Sequence, residues 1–376
     1  MPHIGRTMDF DALRDALMVR AEKRLVARRT HPEAEHLELF CYTQQATFSG
    51  EWDSFVEAAR GLVLDTRAKR VVATPFSKFF NYGERGRFDL PSEPFEVFEK
   101  LDGSLGIVFH DGDQWRVATK GSFISEQAKW ATAWLSERTF AGLTPGTTYL
   151  FEIIYPENQI VVRYDFAALV VLGAYLPDGE EMETDDLWRV ARALGTRVAT
   201  SYHYESIEEI TDAVAKFGSD REGFVVRFLS GYRVKVKGAE YLRVHRLASR
   251  ITPLGIWDAM QNGDDLDGIR KEIPEEFYGD FDTIRSMLQA KFDALGNAVA
   301  AEVAKWAGEP DKSLGLALGT IDESIRRLVF PARKKGAAWM NDAPSRKLLF
   351  NQFRPTGNVL DGYKPGGSLA RIAEDA

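Results

Sequence analysis

The stretch Glu99-Lys100-Leu101-Asp102-Gly103-Ser104 decides the reading of this 376-residue chain. Phe95 to Lys100 before it and Leu105 to Phe109 after it are apolar runs of strand length, joined by an Asp-Gly turn. A lysine that ends a strand is held rigidly, and a glycine beside it lets a phosphate come close to the backbone. Such a lysine can serve as an amine nucleophile if it sheds its proton near neutral pH, so cations that lower its pKa are expected nearby. Alone the pattern is a weak signal, because a surface turn also explains it.

Working outward, Arg233-Val234-Lys235-Val236-Lys237 alternates with a period of two. As a strand it puts both valines on one face and both lysines on the other, about 7 Å apart, a spacing that suits neighbouring phosphate oxygens or simply a solvated face. Glu152 shares a strand face with Leu150 and Ile154, and Glu222 shares one with Phe224, Val226 and Phe228. A carboxylate on an apolar face needs a cation, a hydroxyl or a metal as partner. Arg60, Lys78 and Lys120 add cations in Arg60-Gly61, Ser77-Lys78-Phe79-Phe80-Asn81 and Lys120-Gly121-Ser122.

Around these residues the texture predicts an amphipathic helix over 8–29, strands from about 38 to 120, and a helix from Ser125 to about Arg138. Strands are expected at 147–155, 159–164 and 168–176, then helices Asp185–Leu194 and Ile207–Phe217, the second opened by the Ser206/Glu209 capping box and stopped at Gly218. A hairpin of 222–228 and 232–237 turns at Ser230-Gly231. Beyond about 250 the strand signal fades, and 266–308 and 312–329 read as helices. The expected fold class is α+β: a domain of antiparallel sheets flanked by helices over 1–250, then a smaller all-helical domain over 251–376.

Arg60-Gly61, Lys78 to Asn81, Glu99 to Ser104, Lys120 to Ser122, Phe151-Glu152, Glu222-Gly223 and Lys235-x-Lys237 stand in the order of the motifs of covalent nucleotidyltransferases. The chain most closely resembles the RNA ligase 1 family of T-even bacteriophages, over roughly residues 38–246. That resemblance implies an ATP-dependent RNA ligase with Lys100 as the nucleophile that carries AMP. It implies ATP or AMP contacts from Arg60, Lys78, Phe80, Glu99, Leu101, Gly103, Lys120, Glu152, Lys235, Lys237 and Tyr241. It further implies a Mg²⁺ (or Mn²⁺) ion held, through water, by Asp102, Glu152 and Glu222. The expected partners are ATP and RNA with 5′-phosphate and 3′-hydroxyl ends, with a functional link to an end-healing kinase or phosphatase in RNA repair.

Composition narrows the rest. Hydrophobic residues make up 44% of the chain and charged residues 28%, which excludes a disordered or collagenous protein. The lone cysteine, Cys41, excludes an internal disulfide and a cysteine zinc site. No apolar run reaches membrane-spanning length and no signal-peptide core opens the chain, so the expected place is the cytoplasm, without a membrane partner. Net charge is −8, yet Arg326 to Arg354 holds eight cations against Asp342 alone. With Phe330, Trp339, Phe350 and Phe353 among them, Arg333, Lys334 and Lys335 are candidate RNA contacts, as are Arg243 and Arg246; a solvated helix face with core aromatics is the competing reading. A DNA ligase and a GTP-dependent capping enzyme are alternatives, but both families usually carry arginine where Leu105 stands here and append a β-barrel. A non-catalytic RNA-binding relative is a third.

Overall fold

The computed structural model describes residues 2–84, 89–140, 142–273, 277–356 and 359–364. The chain divides into two compact units, Met1–Arg243 and Val244–Asp375. In the first, strands β1 (Val26–Thr30), β2 (Leu37–Tyr42), β3 (Arg60–Asp65) and β4 (Arg70–Ala73) pair in sequence order as an antiparallel sheet. The others are β5 (Phe80–Asn81), β6 (Phe95–Lys100), β7 (Ser104–Asp111), β8 (Gln114–Thr119), β9 (Thr148–Ile154), β10 (Ala168–Tyr175), β11 (Ser201–Tyr202), β12 (Gly223–Phe228) and β13 (Arg233–Lys237). They form a second sheet in the order β10-β9-β7-β8 and a third in the order β11-β6-β12-β13-β5, where only the β13–β5 pairing is parallel among the described strands.

Each sheet buries its apolar face as the strand period requires. Leu37, Leu39 and Val63 of the first sheet pack on Ile107, Phe109 and Leu150 of the second. Phe40, Leu62 and Leu64, on the far side of the first sheet, cover Leu13 and Leu17 of the helix Phe10–Glu22. Phe151 and Leu169, on the far side of the second, meet Trp134 and Leu135 of the helix Glu126–Ser136 and Leu187 and Val190 of the helix Thr184–Leu194. The third sheet packs Val97, Phe224 and Val226 against Ile207 and Ile210 of the helix Ile207–Val214.

Three expected elements are corrected. The first helix does not run to 29 but ends at Glu22; Arg24 takes a positive φ of 59° and Val26–Thr30 pairs with β2. Ladder hydrogen bonds to a neighbouring strand outweigh an amphipathic pattern that sequence alone reads as helix. Residues 159–164 are not a strand either, because the Val161 and Val162 amides are taken by a side chain, Asp102. The capping helix after Ser206 is shorter than expected, with its C-cap at Ala215.

The second unit is helical among its described residues, with helices Pro253–Asn262, Leu266–Glu272, Tyr278–Lys305, Asp311–Ala317, Glu323–Lys335 and Ala343–Asn351. Trp257, Phe281, Leu288, Leu328, Leu349 and Phe350 are among its buried residues, and the Trp257 indole donates to the Phe350 carbonyl at 3.1 Å. No described helix is long and apolar enough to cross a membrane.

Candidate active site

Lys100 is the last residue of β6 in the third sheet, and Ser104 is the first residue of β7 in the second. The three residues between them therefore carry the chain from one sheet to the other, which fixes the nucleophile candidate at their junction. In the third sheet Lys100 pairs with Gly223, and Gly223 pairs with Lys237, so one row across three strands holds both lysines. Gly223 is required there: its φ is 145°, and a Cβ would stand 2.0 Å from the Val236 carbonyl oxygen. In the second sheet Glu152 lies between Leu105 and Val170. A Cβ on Gly103 would come within 2.6 Å of the Glu152 side chain, and the Gly103 amide donates to Glu152 Oε1 at 2.7 Å.

Carboxylates, not cations, are the nearest charges to Lys100. Its Nζ donates to Glu222 Oε2 at 2.8 Å, and Lys237 Nζ meets Glu222 Oε1, also at 2.8 Å. Burial pushes the Lys100 pKa down, but Glu222, Glu152 and Asp102 outweigh it and leave it raised. The expectation that surrounding cations lower this lysine is thus corrected for the ligand-free protein. Burial likewise opposes ionisation of Glu222, yet its two lysines hold its pKa below the ordinary carboxylate range.

Asp102 is an anchor. Its Oδ2 accepts the amides of Val161 and Val162 at 2.8 and 2.9 Å, its Oδ1 accepts the Tyr241 hydroxyl at 2.9 Å, and its own amide donates to the Tyr164 hydroxyl at 2.7 Å. Burial and then Glu222 raise its pKa against the two amide bonds that favour the ion. Burial, joined by Glu222 and Asp102, also keeps Tyr241 protonated. Tyr164 has no signal in the motif pattern, because its role comes from an irregular loop.

The remaining cations gather among aromatic rings. A Cβ on Gly61 would lie 3.3 Å from Lys120 Cα, so this glycine lets the Arg60 and Lys120 segments touch. Arg60 lies over Phe79 at 5.4 Å and Lys235 over the same ring at 4.9 Å. Lys78 stands over Tyr42, Trp52 and Phe80 at 5.6, 5.6 and 5.2 Å, and Lys120 over Tyr42 at 5.5 Å. Burial first, then Arg60 among other cations, pulls Lys78 down to about 8. Burial and then Lys78 depress Lys235 further. One guanidinium nitrogen of Arg60 and the Trp52 indole nitrogen are buried without a hydrogen-bond partner. Tyr42 and Trp52 went unpredicted, since aromatics spaced ten residues apart carry no periodic signal.

Burial first, and then Asp102, Glu152 and Glu222, raise the Tyr164 pKa, so the three carboxylates lie near one hydroxyl; as hard oxygen donors they would suit a hydrated Mg²⁺ better than a directly ligated ion. The described trio that does approach direct-ligand spacing is His36, Asp65 and Asp111, within 4.8 Å of one another. Sequence spacing gave no hint of it. Its carboxylates are already committed, Asp111 to Arg116 at 2.8 Å and to His36 at 3.1 Å, and Asp65 to the amides of Arg67 and Ala68.

The candidate RNA residues fare differently. Arg333 pairs with Asp311 at 2.8 Å and bonds the Trp306 and Glu309 carbonyls, and Lys335 pairs with Asp342. Trp339 and Phe350 are buried in the helical core, which corrects their reading as base-stacking surfaces. Lys334 is exposed. Arg243 is ion-paired with Glu240 one turn away, and Arg246 lies on the same helix, Ala239–Ala248.

Comparison with known proteins follows the same line. The chain is 25% identical over 273 residues to a protein of Autographa californica nuclear polyhedrosis virus named for a bifunctional polynucleotide kinase/RNA ligase, covering 64% of this chain but 37% of that protein. It is 22% identical over 375 residues to the RNA ligase of Rhodothermus phage RM378, covering 78% of this chain and 84% of the phage protein. A Naegleria gruberi RNA ligase structure aligns over 41% of this chain and 52% of its own, at 19% identity and a TM-score of 0.33. The family described as RNA ligase matches residues 58–241, the span that runs from just before Arg60 to Tyr241. Over that span, about half of the chain, the protein is similar to the RNA ligase family.

Proposed function

We propose that the protein is an ATP-dependent RNA ligase that joins RNA 5′-phosphate and 3′-hydroxyl ends. What carries the reading is a single juxtaposition: Lys100 sits at the junction of two sheets, ion-paired to Glu222, in a site where burial first and then neighbouring cations, short of balancing negative charge, depress Lys78 and Lys235. A triphosphate supplies that missing negative charge.

In the first step Lys100 Nζ attacks the α-phosphorus of ATP; the N–P bond forms, the bond to the β-phosphate oxygen breaks, and pyrophosphate leaves. The proton that Lys100 sheds has an acceptor in Glu222 Oε2, 2.8 Å away. Lys235 and Lys237 meet the α-phosphate, while Arg60, Lys78 and Lys120 meet the polyphosphate or ribose. Glu152 lies near the ribose, Phe80 near the nucleoside, and the backbone at Glu99, Leu101 and Gly103 beside the adenylate. Tyr241 acts through Asp102. Glu152 and Glu222, with Asp102 behind them, would hold Mg²⁺ or Mn²⁺ through water, which would neutralise phosphate charge. AMP then passes to an RNA 5′-phosphate, and a 3′-hydroxyl displaces it to seal the strand.

The helical unit would select the RNA, with Lys334 and Arg246 as its cationic contacts, Arg243 at the end of the first unit as a third, and Arg333 and Lys335 as structural neighbours. An end-healing kinase or phosphatase would prepare the ends, as the name of the baculovirus relative couples kinase and ligase, and the cytoplasm is the place for such repair. The test is incubation with Mg²⁺ and α-labelled ATP or GTP, for wild type and Lys100→Ala. An acid-labile AMP adduct on wild type alone is expected. A GMP adduct would favour capping, and no adduct on protein shown to be free of prior adenylylation would favour a non-catalytic relative.

A further inference from the structure

Within the basic run of the helical unit Arg333 and Lys335 are ion-paired, yet a second cationic and aromatic strip lies beside Lys100 itself. It begins at Tyr164, whose hydroxyl accepts the Asp102 amide at 2.7 Å. Tyr164 packs on Phe166 at 5.3 Å between ring centres, and Arg197 stacks on Phe166 with its guanidinium carbon 4.0 Å from the ring centre. Both aromatics rest against the small core of Leu101, Ile154, Val170 and Ala199, so the nucleophile turn and the strip share one foundation. Arg163 is exposed, and its chain neighbours are both fixed to Asp102, Val162 through its amide and Tyr164 through its hydroxyl.

The Arg197 end is held just as firmly. The Val171 amide donates to the Arg197 carbonyl at 2.9 Å, and three residues on, the Thr200 carbonyl accepts the Glu99 amide at 2.7 Å. Arg197 is thereby tied to the residue before Lys100. Just before it in the chain, the helix Thr184–Leu194 exposes Trp188 and, one turn later, Arg192. Asp165 is the one acid within 160–168, and 191–199 has none.

We infer that this strip, Arg163–Tyr164–Phe166–Arg197 with Trp188 and Arg192 beyond, is the track on which the protein holds single-stranded RNA near its reacting end. The inference rests on the ligase reading and adds to it the surface that receives the strand. Guanidinium groups take phosphates by paired hydrogen bonds, and an exposed ring or a ring-stacked guanidinium takes an unstacked base, which is the combination that binds single strands without sequence preference. The backbone anchors at Asp102 and Glu99 mean that little further ordering of the strip is needed when RNA arrives.

The test uses the full chain, a labelled single-stranded oligoribonucleotide, and the variants Arg163→Ala/Arg197→Ala and Phe166→Leu. RNA affinity is measured against salt concentration, joining is measured with pre-adenylylated RNA, and lysyl-AMP formation is measured separately. Losing two phosphate contacts should lower the slope of log affinity against log salt by about 1.4, from about 0.7 per contact on a single strand. Phe166→Leu keeps the apolar packing but loses the ring face, so affinity should fall roughly five-fold or more with the slope unchanged. Both variants should lose joining while still forming lysyl-AMP. An unchanged slope and unchanged joining in the double variant would overturn the strip, even if wild type forms lysyl-AMP. Conversely, if wild type forms no lysyl-AMP but the slope still falls, the ligase reading fails and the RNA track stands.

Discussion

Replacing Lys78 with methionine should stabilise the ligand-free protein. Burial and the surrounding cations carry Lys78 from 10.5 down to about 8, and at about 1.4 kcal/mol per pH unit this is a cost of about 3 kcal/mol for keeping the ammonium charged in the fold. The side chain is mostly buried, so solvent screening removes little of it. Against this stand three rings at 5.2–5.6 Å, each contributing about 0.5 kcal/mol or somewhat more. The net gain expected for Lys78→Met at pH 7 is about 1–2 kcal/mol, a few degrees in Tm. The sign with pH follows from linkage. Between pH 8 and 10.5 the unfolded chain binds the Lys78 proton more tightly than the folded one, so wild-type stability rises with pH through that window, and the full cost is present below it. Urea unfolding of both proteins at pH 7 and near pH 10 isolates Lys78 as their difference. A variant less stable than wild type at pH 7, or a difference that does not narrow toward pH 10, refutes the reasoning. With saturating ATP the order should reverse, because the triphosphate uses the charge that the empty site finds costly.

Other consequences are read with the same assays. Gly223→Ala forces a Cβ to within 2.0 Å of the Val236 oxygen at a φ only glycine favours, so β13 must shift; a loss of several kcal/mol and of lysyl-AMP formation is expected, and a variant of wild-type stability and activity would contradict the row of Lys100, Gly223 and Lys237. Tyr241→Phe removes the buried donor to Asp102 at 2.9 Å and should cost about 1.5–3 kcal/mol in urea unfolding. Glu181 bridges Arg227 at 2.9 Å and also Arg233, and these cations hold its pKa down against burial. Glu181→Gln should therefore cost about 3–5 kcal/mol at neutral pH, and less as pH falls below the ordinary carboxylate pKa, where wild type protonates and loses the same stability. A pH-independent deficit would argue for packing rather than charge.

How much of this was legible beforehand differs by element. The hairpin 222–237 and its alternating lysines could be read directly, because side chains in a strand change face at every residue whatever the surroundings. The capping box placed the start of the helix at Ile207, since that signal is local. The segment 159–164 could not be read, because Ile160-Val161-Val162 looks like a strand until the Asp102 carboxylate takes its amides from another part of the chain. Residues 24–30 failed for a related reason: the partner strand β2 that outbids the helix lies beyond a turn.

The sequence by itself determined which side chains are candidates for the chemistry: a strand-ending lysine, an Asp-Gly turn, two carboxylates on apolar faces and a set of cations in a recognisable order. Residue type and spacing are enough for that, because they decide local geometry and ionic character. Only the tertiary structure decided who neighbours whom. It paired Lys100 with Glu222 and so reversed the expected direction of its pKa; it made Asp102 a clasp between the 161–164 loop and Tyr241; it sank Trp339 and Phe350 into a core; and it brought Arg197 beside the turn that follows Lys100. Ionisation and surface are properties of three-dimensional surroundings, and contacts between residues a hundred positions apart leave no trace in the spacing of either.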